Sequence, residues 1–217
     1  MKKLENPMEV YPVKKLLNLH KEQDTKRKQL PINRKILSQL LARVRGGDRE
    51  PFYKSAMYIT YFLMYHLALR ISELCNTPTA KHAITIKDIK IHKESGVVEI
   101  TLFTYKHSKK PITYDINKNE SFLNHLEYYM RKRGSKRGQL MIHKSGAPFS
   151  RNYVADQLKQ DIQGIGLNSN LYNTHGFRHG RASDLAQDGK TDRQIAALGR
   201  WNSNAFQNYI TTERVTV

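Results

Sequence analysis

His175 and Arg178 lie three residues apart in the stretch THGFRHGRASDLAQDG, residues 174–189. On a helix that spacing is about one turn, so both side chains can face one pocket. Downstream, LGRWNSNAFQNYI (198–210) carries Arg200 and Tyr209. Upstream, YHLALRISEL (65–74) sets Arg70 among apolar residues, and Lys106 opens the basic run KHSKK. These are the parts a tyrosine needs to cleave a phosphodiester. The phenol, with a pKa near 10, must lose its proton as it attacks. The pentacoordinate phosphorus gathers negative charge on its nonbridging oxygens, which fixed cations or donors must meet. The 5′ oxygen that leaves needs a proton from a general acid. Two arginines, a lysine, a histidine and a tyrosine supply all of this without a metal or cofactor. Arg70 and Arg178 can clamp the phosphate by paired hydrogen bonds. Lys106 can meet the leaving oxygen, and Tyr209 is the nucleophile.

Each signal is weak by itself. His-x-x-Arg arises often by chance, and Tyr209 is one of 12 tyrosines. Arg70 also reads as a core arginine paired to Glu73, because an arginine on so apolar a helix must be paired or serve a ligand. Only the set as a whole points to this chemistry.

The elements that must position these residues follow from pattern and punctuation. Residues 8–20 form a short helical pattern with Val10, Val13, Leu16, Leu17 and His20 near one side. The charged run KEQDTKRKQL (21–30) reads as a linker. PINRKILSQLLARV (31–44) predicts a helix with Pro31 near its first turn, stopped by GGD at 46–48. A long apolar helix is expected from Pro51 to Cys75. Three strands follow, at 84–91, 97–105 and 111–116, with a SerGly turn at 95–96 and the basic tip 106–110 between the second and third. Asn119, Ser150, Thr174 and Ser203 are expected to cap four further helices. Thr191 and Gln194 fit a capping box. The fold class is therefore mixed α+β, mainly helical, with a small three-stranded antiparallel sheet.

The 217 residues carry a formal net charge of +18, with 39% hydrophobic residues. A packed core is possible, and the charge calls for a polyanionic partner. The single cysteine, Cys75, forbids an internal disulfide and fits an intracellular, reducing compartment. The uncharged run at 55–69 falls short of the roughly 20 residues that cross a bilayer, so a buried helix, and no membrane association, is expected.

ALRISEL around Arg70 is similar to a first-arginine box, HGFRH (175–179) to a histidine–arginine box, and LGRW with Tyr209 to a terminal box. In this order and spacing the chain resembles the tyrosine recombinase (phage integrase-like) family over about residues 31–211. The resemblance implies a catalytic domain spanning 31–217. It also implies that residues 1–30 are the tail of the helical domain that clamps the other face of DNA, as in an excised fragment or a minimal protein. Tyr209 would form a 3′-phosphotyrosyl link and free a 5′ hydroxyl, and a second 5′ hydroxyl would reverse the step, giving site-specific strand cleavage and rejoining of the kind used in integration by mobile elements. His175 would assist proton transfer and support the phosphate, while His179 orients or packs the helix. Lys106 best matches the hairpin lysine, with Lys109 the alternative. The slot after LeuGly, usually histidine or tryptophan, holds Arg200. Either Arg200 donates to the phosphate and Trp201 packs, the favoured reading, or a local backbone shift puts Trp201 in the slot. The resemblance further implies a homo-oligomer on double-stranded DNA, a tetrameric synapse. The eight residues after Tyr209 leave little for a tail passed to a neighbour, so a monomer is expected when free.

The expected DNA surface comprises Arg43, Arg45, Lys87, Lys90, Lys93, Lys109, Lys110, Arg131, Lys132, Arg133, Lys136 and Arg137, mostly meeting phosphates. Two other readings use the same residues: relaxation of supercoils as by a type IB topoisomerase, and a non-catalytic DNA-binding protein of the same fold.

Overall fold

A computed structural model describes residues 29–75, 83–103, 110–134, 138–201 and 207. The expected helix at 8–20, residues 21–28 of the expected linker, residues 106–109 of the expected hairpin tip and the helix capped by Ser203 lie outside these residues. The described part contains seven α-helices and one three-stranded antiparallel sheet. Helix α1 (Arg34–Gly46) is capped by Asn33, whose side chain accepts from the Ile36 N–H at 3.0 Å. It begins three residues later than the sequence pattern suggests, because Asn33 satisfies the helix end and Pro31 stays outside.

Helix α2 (Pro51–His66) is the centre of the molecule, with buried side chains on every side from Ser55 to Tyr65. Helices α1 and α4 (Glu120–Arg133) pack on it, contributing Leu37, Leu40 and Val44, and Phe122, Leu126 and Tyr129. Strands β1 (Ile89–His92), β2 (Val97–Leu102) and β3 (Ile112–Ile116) form the sheet in that order. Val98, Ile100 and Leu102 alternate inward on β2, opposite Ile116, Tyr114 and Ile112 of β3. Helices α5 (Arg151–Gly164), α6 (Gly176–Gln187) and α7 (Asp192–Gly199) complete the described fold. Among the described residues, no helix is long and apolar enough to cross a membrane.

Three sequence expectations change. The helix expected to run to Cys75 stops at His66, and a short helix, α3 (Ile71–Leu74), restarts after it. At the break Ala68 takes a left-handed backbone (φ 44°). The Leu69 and Ala68 N–H groups fold back to the Met64 and Tyr65 carbonyls, both at 3.1 Å. This is a Schellman-type end with alanine where glycine is usual. The first strand starts at Ile89, because Asp88 accepts from the Thr85 N–H (2.8 Å) and hydroxyl (2.9 Å) and closes a 3₁₀ turn over Ile86–Asp88. Finally, Asn173, rather than Thr174, serves the start of α6, its Oδ1 accepting from the N–H groups of His175 (2.9 Å) and Gly176 (3.1 Å). The Asn119 and Ser150 caps and the Thr191–Gln194 box are as expected.

Helix α6 meets the segment before α1 unusually closely. The Ile32 N–H donates to the Gly176 carbonyl at 2.9 Å. A Cβ at Gly180 would lie 1.8 Å from the Ile32 carbonyl oxygen. Gly180 is there because backbone crosses the helix at that point.

Candidate active site

Arg178 is where the fold's parts converge. It sits in the first turn of α6 and is 1% exposed. Its Nη1 donates to the Ala68 carbonyl and its Nη2 to the Gly199 carbonyl at 2.5 Å. These carbonyls belong to the ends of α2 and α7. The broken helix thus has a purpose: turning the chain at Ala68 presents an unpaired helix-end carbonyl to a buried arginine. Burying a guanidinium without such acceptors would be costly.

The same turn delivers Arg70, which precedes α3. Its N–H donates to Glu73 Oε2 at 2.7 Å, and its Nη1 pairs with Glu73 Oε1 at 3.2 Å. A quarter of the Arg70 side chain stays exposed, whereas that of Glu73 is buried. His175 is exposed at the start of α6, with its ring edge-on to His179 at 4.7 Å. Burial of part of its ring, then the charges of Arg178 and Arg70, hold the His175 pKa below the usual histidine value. Both arginine charges thus bear on this one imidazole. His179 is pushed down to about 4, chiefly by burial, then by His175 and Arg178. It is neutral at pH 7, as suits a packing histidine. A neutral His175 beside two fixed cations offers one N–H donor and one nitrogen acceptor, and taking up a proton there would add a third positive charge.

Arg200 departs from its expected placement. It is the second non-glycine residue with a left-handed backbone (φ 57°) among those described. The Trp201 and Arg200 N–H groups fold back to the Ala196 and Ala197 carbonyls at 3.0 and 3.2 Å, ending α7 as α2 ends. This rotates the guanidinium inward, where it pairs with Glu73 Oε2 at 2.6 Å, donates to the Tyr114 hydroxyl, and meets the carbonyls of Leu67 (3.2 Å), Leu198 (3.3 Å) and Ala68 (3.4 Å). Its side chain is 1% exposed. The favoured expectation set Arg200 at the phosphate; in this structure its guanidinium is turned to Glu73 and Tyr114. Trp201 instead lies over Arg178, the guanidinium carbon 4.3 Å from the ring centroid. It also packs with Ala182, Leu185 and Ile195. Gly199 makes room for it, since a Cβ there would overlap the indole at 1.7 Å.

Tyr209, Lys106, Lys109, Lys136 and Arg137 lie outside the described residues. Of the expected DNA surface, Arg43, Arg45, Lys87, Lys90, Lys93, Lys110, Arg131 and Lys132 are exposed. Lys90 is paired to Glu99 at 3.0 Å. Arg133 is a correction: it is 3% exposed, and its guanidinium donates to the carbonyls of Gln139 (2.6 Å), Leu140 (3.2 Å) and Gly134 (3.4 Å). It holds the chain after α4 and does not face solvent. Sequence reasoning reached Glu73 only as a partner for Arg70. It missed Tyr114, although the alternation of β3 turns that residue toward the core, and it missed Asp184, which accepts from the Tyr65 hydroxyl and from the Arg34 N–H at 2.7 Å.

Comparison with known proteins bears on the family and the fold. The family model described as "Phage integrase family" matches residues 31–214. No curated protein matches the chain by sequence. Among solved structures, the chain is similar to the XerH site-specific recombinase bound to difH substrate in a pre-cleavage complex, with TM-score 0.66 and 18% identity over 83% of this chain and 50% of that one. It is similar to the XerA recombinase (TM-score 0.65, 16% identity, 87% of this chain and 61% of that one). It is also similar to a Tn1549 transposon integrase fragment in complex with a circular intermediate DNA (TM-score 0.61, 15% identity, 87% and 63%). The chain thus spans half to just under two thirds of the length of these proteins, which share its fold. With the family model matched over residues 31–214, most of its length, the chain belongs to the phage integrase family.

Proposed function

We propose that the chain cleaves and rejoins DNA strands through a 3′-phosphotyrosyl intermediate at Tyr209, as the catalytic domain of a tyrosine recombinase spanning 31–217. One observation carries the reading: α6, with His175 at its start and Arg178 in its first turn, is anchored through Arg178 to the Ala68 carbonyl, in the turn that leads into Arg70, and the charges of both arginines bear on the His175 imidazole. Two cations and a neutral imidazole suit a phosphodiester whose transition state gains negative charge. Arg70 and Arg178 hold the nonbridging oxygens. His175 supports the phosphate and assists proton transfer. Lys106, with Lys109 as the alternative, protonates the leaving 5′ oxygen. Trp201 takes the slot next to Arg178. No metal is required, because the cations are side chains.

The substrate is double-stranded DNA, met mainly at its phosphates by the exposed basic residues named above, including Lys109, Lys110, Lys136 and Arg137. The net charge of +18 supports that partner. The active assembly is a tetrameric synapse on DNA, formed from free monomers.

The test is incubation with nicked suicide duplexes drawn from genomic and random sequence, resolved on a denaturing gel. A covalent protein–DNA adduct from the parent, absent with Tyr209→Phe, is the expected result. Duplex binding with no adduct from either would overturn the catalytic reading in favour of a binding protein. Exchange of strands between two sites, against relaxation of a supercoiled plasmid alone, separates recombinase from topoisomerase.

A further inference from the structure

Arg200 occupies a costly place. A non-glycine residue in the left-handed region is disfavoured, and its charge is buried. A backbone turn of this kind asks for glycine. The side chain must therefore repay the arrangement, and its contacts show how. Glu73 Oε2 receives Arg200 Nη2 at 2.6 Å, while the other oxygen, Oε1, receives Arg70 Nη1 at 3.2 Å. One buried carboxylate thus links the two arginines. On its other side Arg200 donates to the Tyr114 hydroxyl, which in turn donates to the Leu198 carbonyl at 3.0 Å. Tyr114 is on β3, the strand that follows the hairpin tip bearing Lys106 and Lys109. Arg200 itself opens the segment that reaches Tyr209 nine residues later.

We propose that Arg200 is a positioning residue, which acts through Glu73 to fix the Arg70 guanidinium and ties it to the strand of the lysine hairpin and to the segment that carries Tyr209. Losing the family's usual histidine or tryptophan at this position is thus offset twice. Trp201 takes the place beside Arg178, and Arg200 becomes a clip inside the site. The proposal relies on the functional reading only in assigning Arg70 to the phosphate. The clip is a matter of structure.

Two measurements test it. The first needs no DNA. In protein with ¹⁵N-labelled arginine, the Arg70 Nε–Hε resonance is identified by its loss in Arg70→Lys. A clipped guanidinium gives a protected signal in the parent, and the signal broadens through solvent exchange in Arg200→Gly and in Glu73→Gln. Arg200→Gly suits the left-handed backbone, and Glu73→Gln is nearly isosteric, so failure of either to fold leaves the other. An unchanged signal in folded Arg200→Gly or Glu73→Gln overturns the proposal. The second is single-turnover adduct formation on the nicked duplex. Loss of positioning slows Arg200→Gly by about 10²-fold. In an Arg70→Lys background, the same substitution then adds little, because both changes break one chain of contacts. Losses that multiply overturn the proposal and return Arg200 to a direct or purely structural role. A parent that forms no adduct contradicts the functional reading, and the resonance of Arg70 still decides this one.

Discussion

At Arg178, charge and shape are both used. The guanidinium spans two helix-end carbonyls and lies under Trp201. A lysine keeps the charge but cannot reach both carbonyls in one plane. Arg178→Lys is expected to slow adduct formation by about 10²–10³-fold, the range for losing one preorganised donor at a developing charge. Single-turnover kinetics on the nicked duplex checks this, and a loss below tenfold would contradict it. That His175 and Arg178 share the start of one helix was legible in the sequence, because their spacing matches a helical turn. The direction of Arg200 was not. The glycine of LGRW, Gly199, stands one residue before the left-handed position, so nothing in the motif says that Arg200 makes the turn and swings its side chain inward. Glu73 was visible only as a neighbour of Arg70, since its second partner lies 127 residues away along the chain.

At the scale of elements, two glycines separate close approach from mere tolerance. At Gly180 an added Cβ would strike the Ile32 backbone, which no rotamer change relieves. Gly180→Ala is expected to lower stability in urea by about 1–3 kcal/mol or more, as overpacking does, and to slow adduct formation because α6 carries Arg178. At Gly46, in the last turn of α1, nothing lies within 4 Å of the added Cβ. Gly46→Ala should be neutral or stabilising by up to about 1 kcal/mol. The break in α2 was hidden for a related reason: no proline or glycine lies between His66 and Ile71 to announce it, and Ala68 accepts the strained turn.

Histidines give the elements a pH dependence. Burial, then the charges of Arg181 and Arg34, push His66 in α2 down to about 4, and His179 is held near the same value. Unfolded, each protonates near pH 6.5. Below that pH the unfolded chain binds protons that the folded chain refuses, so stability is full above about pH 6.5 and falls as pH drops toward 4. Thermal melts across this window should show Tm falling with acidity, and His66→Gln should flatten the slope. An identical slope in the variant would assign the loss to other groups.

For the whole molecule, the charge of +18 was legible at once, whereas its distribution was not. The basic run after α4 reads as one patch, yet Arg131 and Lys132 are exposed beside Tyr128 while Arg133 is folded in. If the two exposed residues each meet a phosphate, Arg131→Ala with Lys132→Ala lowers the slope of log affinity against log salt by about 2. Arg133→Ala, by contrast, should leave the slope unchanged and cost stability, because it abandons three buried carbonyls. Fluorescence anisotropy on duplex DNA from 50 to 200 mM salt, the range over which such contacts are strongly screened, distinguishes the two variants.

In the proposed reaction Arg70, His175 and Arg178 serve a tyrosine that becomes joined to DNA. The most direct measurement is proteolysis of the adduct formed on a nicked duplex, followed by mass spectrometry of the peptide that retains nucleotide. The expected product is a nucleotide attached through its 3′ phosphate to the peptide containing Tyr209, with a free 5′ hydroxyl on the released strand. A nucleotide on any other residue, or a 5′-phosphotyrosyl linkage, would contradict it.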